Sequence, residues 1–401
     1  MSSIIENTIA NTQALAQSYE SIVGDISTVA KDLRKRFLAE GIITEIPRLE
    51  ASEAGETSLC AIDGASASDK LQSADLLMAG ATLHDGAKSK KLFENPDDAP
   101  SISYSDIRIH ASKNDDLLSA MRAYTELWVL GASPHDVSII DGAYLGNFLT
   151  VLYRIQESKQ SAQSVIDFMR KNDDGNFING LSKIFDIGNR EKEGKSLVAL
   201  AKSDSSRDMV KTYAEDASFF FTDKILAEYL LQPGEMILPL SVRANKDKVS
   251  LLEYMKEKEN WAGFKWNPKS SLSTDDFKTV EKIFTLGQEN KDKYLFSLYT
   301  YLYDSYFYTY FKPHNFTGTS HALRMEYSTR KRNYTAVGTQ LVSHIDADVT
   351  TPTIKEPVSQ YMVDKIIKQP ISTSMKYMRA TLPSLISSQY NPQGLATSYR
   401  T

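Results

Sequence analysis

The sequence predicts an α/β protein in which a mixed sheet carries helices along its flanks. An apolar run ending in Asp-Gly occurs twice, as Cys60-Ala61-Ile62-Asp63-Gly64-Ala65 and as Ser138-Ile139-Ile140-Asp141-Gly142-Ala143. A buried strand that stops at a carboxylate followed by Gly sets that carboxylate at the rim of a sheet, where the backbone admits a close approach. Between the two copies lie further strand-like runs and one strongly helical stretch, the succession a mixed sheet needs. The composition agrees: 401 residues, 41% hydrophobic and 24% charged, suffice for a sizeable core.

The elements follow in order. Leu15, Tyr19, Ile22, Ile26, Val29 and Leu33 recur at alternating steps of four and three. They draw one apolar seam along an N-terminal helix, which docks on the protein's own core or on a partner subunit. Gly41 and Pro47 end it. Strands are expected over 58–62, 76–83 and 101–110, separated by polar turns such as His84-Asp85-Gly86 and Asn95-Pro96-Asp97-Asp98. Three strands with no helix between them make an antiparallel meander. Asn114-Asp115-Asp116 opens a helix that runs through Leu130 and is closed by Gly131 and Pro134, after which the second Asp-Gly strand comes. Three strands, a helix and a strand, with acids on the first and last strands, is the order of a ribonuclease-H-like core.

Beyond it, 144–170 reads as helix, 178–196 as a polar connection, and Ser196 to Ala201 as a buried strand ending at Lys202. Residues 241–292 are charged and form a peripheral insertion, in which Trp261 and Trp266 beside Lys265 either pack or stack on bases. The aromatic run Tyr294 to Phe311, then Ala322 to Tyr327 and Gln340 to Ile345, suggest a C-terminal meander. A helix runs from Pro357 to about Lys368, and the tail beyond Pro370 is weakly structured by composition. The chain thus divides into an N-terminal helical segment (1–45), a main domain (46–370) and a tail (371–401).

Two such rims put Asp63 and Asp141 side by side. Like charges held close repel unless a proton or a cation lies between them, so the pair is a hydrogen-bonded acid pair or a divalent-metal site; the second is the reading adopted. The core order calls for a third acid on the helix, and Glu126, among Tyr124, Leu127, Trp128 and Val129, is the one acid in its body. Lys202, at a strand tip beside Asp204 and Asp208, either neutralises a phosphate or simply reaches solvent. Asp223 is a helix cap or an outer ligand. The net charge of −5 does not advertise nucleic-acid binding, and Arg330, Lys331 and Arg332 form the best basic strip, a DNA contact or a solvated turn. The one cysteine, Cys60, reads as a small buried thiol. No apolar stretch spans a bilayer and no secretory leader is present, so a cytoplasmic protein without membrane contact is expected.

Taken together, these pieces resemble the NurA nucleases, which work with the hexameric HerA ATPase. The matching stretches are Ala61-Ile62-Asp63-Gly64-Ala65, Ala120-Met121-Arg122 with Glu126-Leu127, and Ile140-Asp141-Gly142-Ala143-Tyr144-Leu145. Further on come Val198 to Ser203, Thr222-Asp223-Lys224 and Leu323-Arg324-Met325-Glu326. The family's late histidine, on a helix after a Pro-Leu pair, is missing from Glu356-Pro357-Val358-Ser359-Gln360-Tyr361-Met362, and His344 stands in the preceding segment. The resemblance implies phosphodiester hydrolysis of DNA with Mn²⁺ or Mg²⁺ held by Asp63, Glu126 and Asp141. It implies Asp223 as an outer ligand, Lys202 at the phosphate, and Arg324, Arg330, Lys331 and Arg332 on the DNA. It further implies a homodimer fed by a HerA-like ATPase, in DNA end processing or defence against foreign DNA. The competing reading is a catalytically weak or inactive adaptor that binds the motor and DNA. A sugar hydrolase using paired carboxylates is disfavoured by the Lys-ended strand and the third acid.

Overall fold

In the computed structural model, residues 2–71, 74–143, 146–147, 150–151, 159–172, 174–201, 206–214, 221–241, 305–316 and 321–386 are described. The insertion at 242–292, with both of its tryptophans, lies outside them, as do Lys202 and everything from 387 onward. A long helix, α1 (Ser2–Ala39), leads to a short strand, β1 (Ile43–Glu45), and a short helix, α2 (Ala51–Glu56). The expected meander then forms as β2 (Leu59–Lys70), β3 (Asp75–Asp85) and β4 (Ser101–Arg108), each antiparallel to the next. Helix α3 (Asn114–Ala132) crosses over, and β5 (Val137–Asp141) returns parallel to β2. Helices α4 (Lys159–Lys171), α5 (Asn176–Phe185) and α6 (Ile187–Lys192) precede β6 (Ser196–Ala201), which adds parallel to β5. After α7 (Asp208–Tyr213) and α8 (Asp223–Leu230) come β7 (Glu235–Ile237), β8 (Leu240–Ser241), β9 (Tyr306–Lys312) and β10 (Leu323–Ser328). Helices α9 (Tyr334–Asp348) and α10 (Val358–Leu385) close the described chain. The described strands join one sheet in the order β1-β7-β9-β10-β6-β5-β2-β3-β4, with β8 beside β9. The run β4-β3-β2-β5-β6 is the ribonuclease-H-like core.

Side-chain alternation sorts the layers. Cys60, Ile62, Ile140, Leu197 and Ala199 face α3 and α5, whereas Ala61, Ile139, Val198 and Leu200 face α9 and the start of α10. At the other side of the sheet, Tyr308 and Tyr310 meet α1 and α8, while Phe307 and Phe311 turn to the α9 layer. The central strand β6 is buried on both faces, which is why it reads as an unbroken apolar run. α3 and α5 cross at Gly131 and Gly180: a Cβ on either would collide with a backbone carbonyl oxygen, of Asn176 or of Leu127, so only glycine permits this approach. No described helix is long and apolar enough to cross a membrane.

Three local expectations are corrected. The polar connection at 178–196 holds α5 and α6, because Phe177, Leu181 and Ile184 form a buried helical stripe despite the polar residues between them. The strand expected at Gln340 to Ile345 is part of α9, capped by Asn333, whose side-chain oxygen accepts from the Ala336 amide at 3.2 Å. The last helix does not stop near Lys368 but continues through Pro370 and Pro383 to Leu385, because Ile367, Ile371 and Met375 pack on Ala65, Leu71, Leu76 and Met78 of the β2–β3 hairpin.

Candidate metal and active site

Ile62 of β2 lies opposite Ile140 of β5 in a parallel pair. Asp63 and Asp141 are therefore the next residues on adjacent strands, with backbones set side by side at the strand spacing of about 4.8 Å. The two Asp-Gly phrases end differently. β5 stops at Asp141, where Gly142 turns away with φ +86°. β2 continues through Gly64 to Lys70, so Asp63 sits mid-strand at the level where its neighbour ends.

Glu126 joins them from α3, and Gly64 makes room for it. A Cβ at Gly64 would stand 2.6 Å from Glu126 Oε1 and 2.9 Å from Arg122 Cγ. Glu126 is 4% exposed, with Arg122 Nε 3.3 Å from Oε1 and the Asn147 amide donating to Oε2. Burial pushes its carboxyl up to about 8; the Arg122 guanidinium opposes that shift, and the charges of Asp63 and Asp141 add to it. The three acids thus share one electrostatic neighbourhood. Asp63 Oδ1 accepts from its own Gly64 amide at 2.8 Å, and Asp141 Oδ1 accepts from Gln360 Nε2 at 2.8 Å. Among the described residues, no three or more His, Cys, Asp or Glu side chains are arranged so as to hold a metal ion. The donor set nevertheless fits a hard divalent cation. It consists of carboxylate oxygens one strand apart and a buried third carboxylate; beside them the Gln360 carbonyl oxygen is buried with no donor among the described residues.

Arg122, Asn147 and Gln360 were not singled out from sequence as site residues. The first carried a signal, since it lies one helical turn before Glu126.

The other described candidates are held by other partners. Asp223 is fully buried at the start of α8, where its Oδ1 accepts from the Val210 amide at 2.8 Å and burial beside Asp208 raises its pKa; Thr222, not Asp223, caps the helix. Those contacts tie α8 to α7. Arg324 does not reach a DNA surface: it is buried, ion-paired with Glu326 at 2.7 Å and seated over the Tyr308 ring. Arg330, Lys331 and Arg332 are exposed, but they follow the C-terminal end of β10, which runs antiparallel to β6. The strip therefore stands at the opposite end of the sheet from Asp141, about 20 Å away along a six-residue strand. His344 stands away from the three acids. It lies on α9 with Asp136 and Glu53 as its charged neighbours, at the end of β5 where the strand begins. Cys60 is a buried thiol, pushed up to about 11 by burial. Near it Ser133, His135 and Asp85 are linked by contacts of 3.2 and 2.5 Å, a nucleophile-like series that is fully packed and closed to any substrate.

The sheet, with Asp141 at the end of β5, Asp63 mid-strand on its parallel neighbour β2 and Glu126 on the crossing helix, makes a ribonuclease-H-like mixed α/β fold. Within it, the architecture is that of NurA. The crystal structure of the NurA nuclease from Sulfolobus solfataricus is similar over 96% of this chain and 99% of that one, with a TM-score of 0.52 and 10% identity. A structure of NurA with manganese matches 92% of this chain and 99% of its own at a TM-score of 0.46 and 10% identity. One of NurA bound to dAMP and manganese matches 94% and 99% at 0.42 and 12%. No protein-family model and no curated protein matches the chain.

Proposed function

We propose that this chain is a divalent-metal-dependent deoxyribonuclease whose reaction centre is Asp63, Glu126 and Asp141. The observation that carries the reading is the register of β2 and β5, which sets Asp63 beside Asp141 while Gly64 admits Glu126 to the same place. When bound, Mn²⁺ or Mg²⁺ supplies a lowered pKa for water and stabilises charge on the departing oxygen. The chain's own part is positional. Asp63 and Asp141 present their carboxylates from a rigid sheet, Arg122 and Asn147 hold Glu126 in one orientation, and Gln360 fixes Asp141. The three acids serve as ligands and not as proton shuttles. Lys202, the residue after β6, is assigned to the charge on the phosphate.

The same reading makes the protein a homodimer that receives DNA from a HerA-like hexameric ATPase in end processing or defence. The N-terminal part of α1 supports a partner surface, because Ile4, Ile5, Ile9, Leu15 and Tyr19 stand exposed there.

Cleavage of labelled linear single- and double-stranded DNA with Mn²⁺, Mg²⁺ or EDTA, with and without the ATPase, tests the proposal. Metal-dependent cleavage that Asp63→Asn and Asp141→Asn each abolish, with thermal unfolding unchanged, is expected. Retention of cleavage in both variants overturns the site. No cleavage by wild type in any combination, with ATPase binding intact, makes the chain an adaptor.

A further inference from the structure

Gln360 is a buried neutral side chain that meets Asp141 from the far layer of the fold. It sits in the first turn of α10, fully buried, and its Nε2 donates to Asp141 Oδ1 at 2.8 Å across 219 residues of sequence. A carboxylate only accepts, so the amide must turn its nitrogen to Asp141, and its carbonyl oxygen is thereby committed to another direction. That Oε1 is buried and has no hydrogen-bond partner among the described residues. Buried acceptors of this kind are rare in native structures and point to a water or an ion as the missing partner.

The turn that carries Gln360 has little freedom. The neighbouring Ser359 donates to Asp348 Oδ2 twice, from its amide at 2.9 Å and its hydroxyl at 2.6 Å, and the Ala87 amide donates to Asp348 Oδ1 at 2.5 Å. The first turn of α10 is thus bolted to the end of α9 and to the loop after β3, and the Gln360 amide is held where it is rather than free to find another donor. A hard divalent cation retains several of its waters, and a water whose lone pair is committed to a cation offers only hydrogens to its surroundings. A buried carbonyl oxygen beside Asp141 is the complement of such a water.

We propose that Gln360 is a positioning residue of the metal site: its amide nitrogen locks Asp141, and its carbonyl oxygen accepts a hydrogen bond from a water in the cation's shell. The proposal rests on the reading of Asp63, Glu126 and Asp141 as cation ligands.

The test is Mn²⁺ binding by the full chain, followed by electron paramagnetic resonance without DNA, alongside thermal unfolding in EDTA. Wild type is compared with Gln360→Met, Gln360→Glu and Asp63→Asn. Gln360→Met is expected to weaken Mn²⁺ binding about 10- to 100-fold. Its unfolding temperature in EDTA should be no lower than that of wild type, because the substitution removes a buried acceptor that has no donor. Gln360→Glu keeps the acceptor oxygen but loses the amide donor to Asp141, and should bind Mn²⁺ more tightly than Gln360→Met. The opposite pattern, a lower unfolding temperature for Gln360→Met with Mn²⁺ affinity within about twofold of wild type, reduces Gln360 to a tie between α10 and β5 and overturns the proposal. If Gln360→Met loses both stability and affinity, recovery of affinity in Gln360→Glu supports the proposal and its absence sinks it. Asp63→Asn separates the two levels of argument. Mn²⁺ binding unaffected by that substitution removes the metal site itself, whereas binding sensitive to Asp63→Asn and indifferent to Gln360→Met removes only the role of Gln360.

Discussion

Gly64 has no side chain to keep Glu126 away from Asp63, and the whole carboxylate corner depends on that. A methyl group there would lie 2.6 Å from Glu126 Oε1, so Gly64→Ala should displace the glutamate, which the Arg122 and Asn147 contacts hold only from its outer side. Calorimetric titration with Mn²⁺ is expected to show binding weakened about 10- to 100-fold. Gly142 makes the contrast. Its φ of +86° needs glycine, yet a Cβ there would meet nothing within 4 Å. Gly142→Ala should therefore cost about 1 kcal/mol of stability and leave Glu126 in place. At this scale Asp63 and Asp141 were legible because the same local phrase announced each, and Glu126 because an acid amid apolar helical neighbours needs a partner. Gln360 was not legible, since nothing local distinguishes it from a surface glutamine.

Helix α1 is two elements in one. Ile26, Ala30, Leu33 and Phe37 are buried against α8 and β9, and Arg34 makes a bidentate pair with Glu235 at 2.6 and 2.7 Å. The first half of the seam read from sequence, at Leu15 and Tyr19, is about two-thirds exposed. Deleting residues 1–20 should leave the unfolding temperature unchanged and, if the ATPase docks on this surface, abolish co-purification with it. Deleting 1–40 should give aggregated protein, because it strips Ala30 and three large buried apolar side chains, the latter worth about 1.5–3 kcal/mol each, from a core cluster. A stable, folded product of the longer deletion counts against this division. The misreading of α9 as a strand has a related cause: Leu341, Val342 and Ile345 read as a short apolar run, which periodicity alone does not separate from a strand.

For the molecule as a whole, burial holds His84, His135 and His344 below the ordinary histidine range. At His344 the nearby Asp136 and Glu53 charges only partly offset that burial. A histidine whose folded pKa lies below its unfolded value of about 6.5 binds more protons when unfolded, so its contribution is intact above pH 6.5 and is lost as the pH falls. The His344→Asn variant lacks this liability. Denaturant unfolding of the two proteins at pH 7.5, 6.5 and 5.5 should show wild type losing ground relative to the variant as pH falls, by up to about 1.4 kcal/mol per pH unit. A difference independent of pH would place His344 in a wet environment, at odds with its packing.

The sequence by itself determined the meander, the crossing helix, the two Asp-Gly strands and the acid between them, because alternation, caps and turn residues act over a few neighbours. The tertiary structure decided the rest. Antiparallel pairing of β10 with β6 carried Arg330, Lys331 and Arg332 to the end of the sheet away from Asp141, although Arg324 of the same strand lies level with Ala201 at the near end. Packing buried Arg324 with Glu326 and made residues 371–385 of the Ser-, Thr- and Tyr-rich tail the second half of α10. Docking of α10 brought Gln360 to Asp141. Which end of a sheet a residue occupies, and what meets it there, depends on register and layer contacts between segments hundreds of residues apart, and no local pattern encodes those.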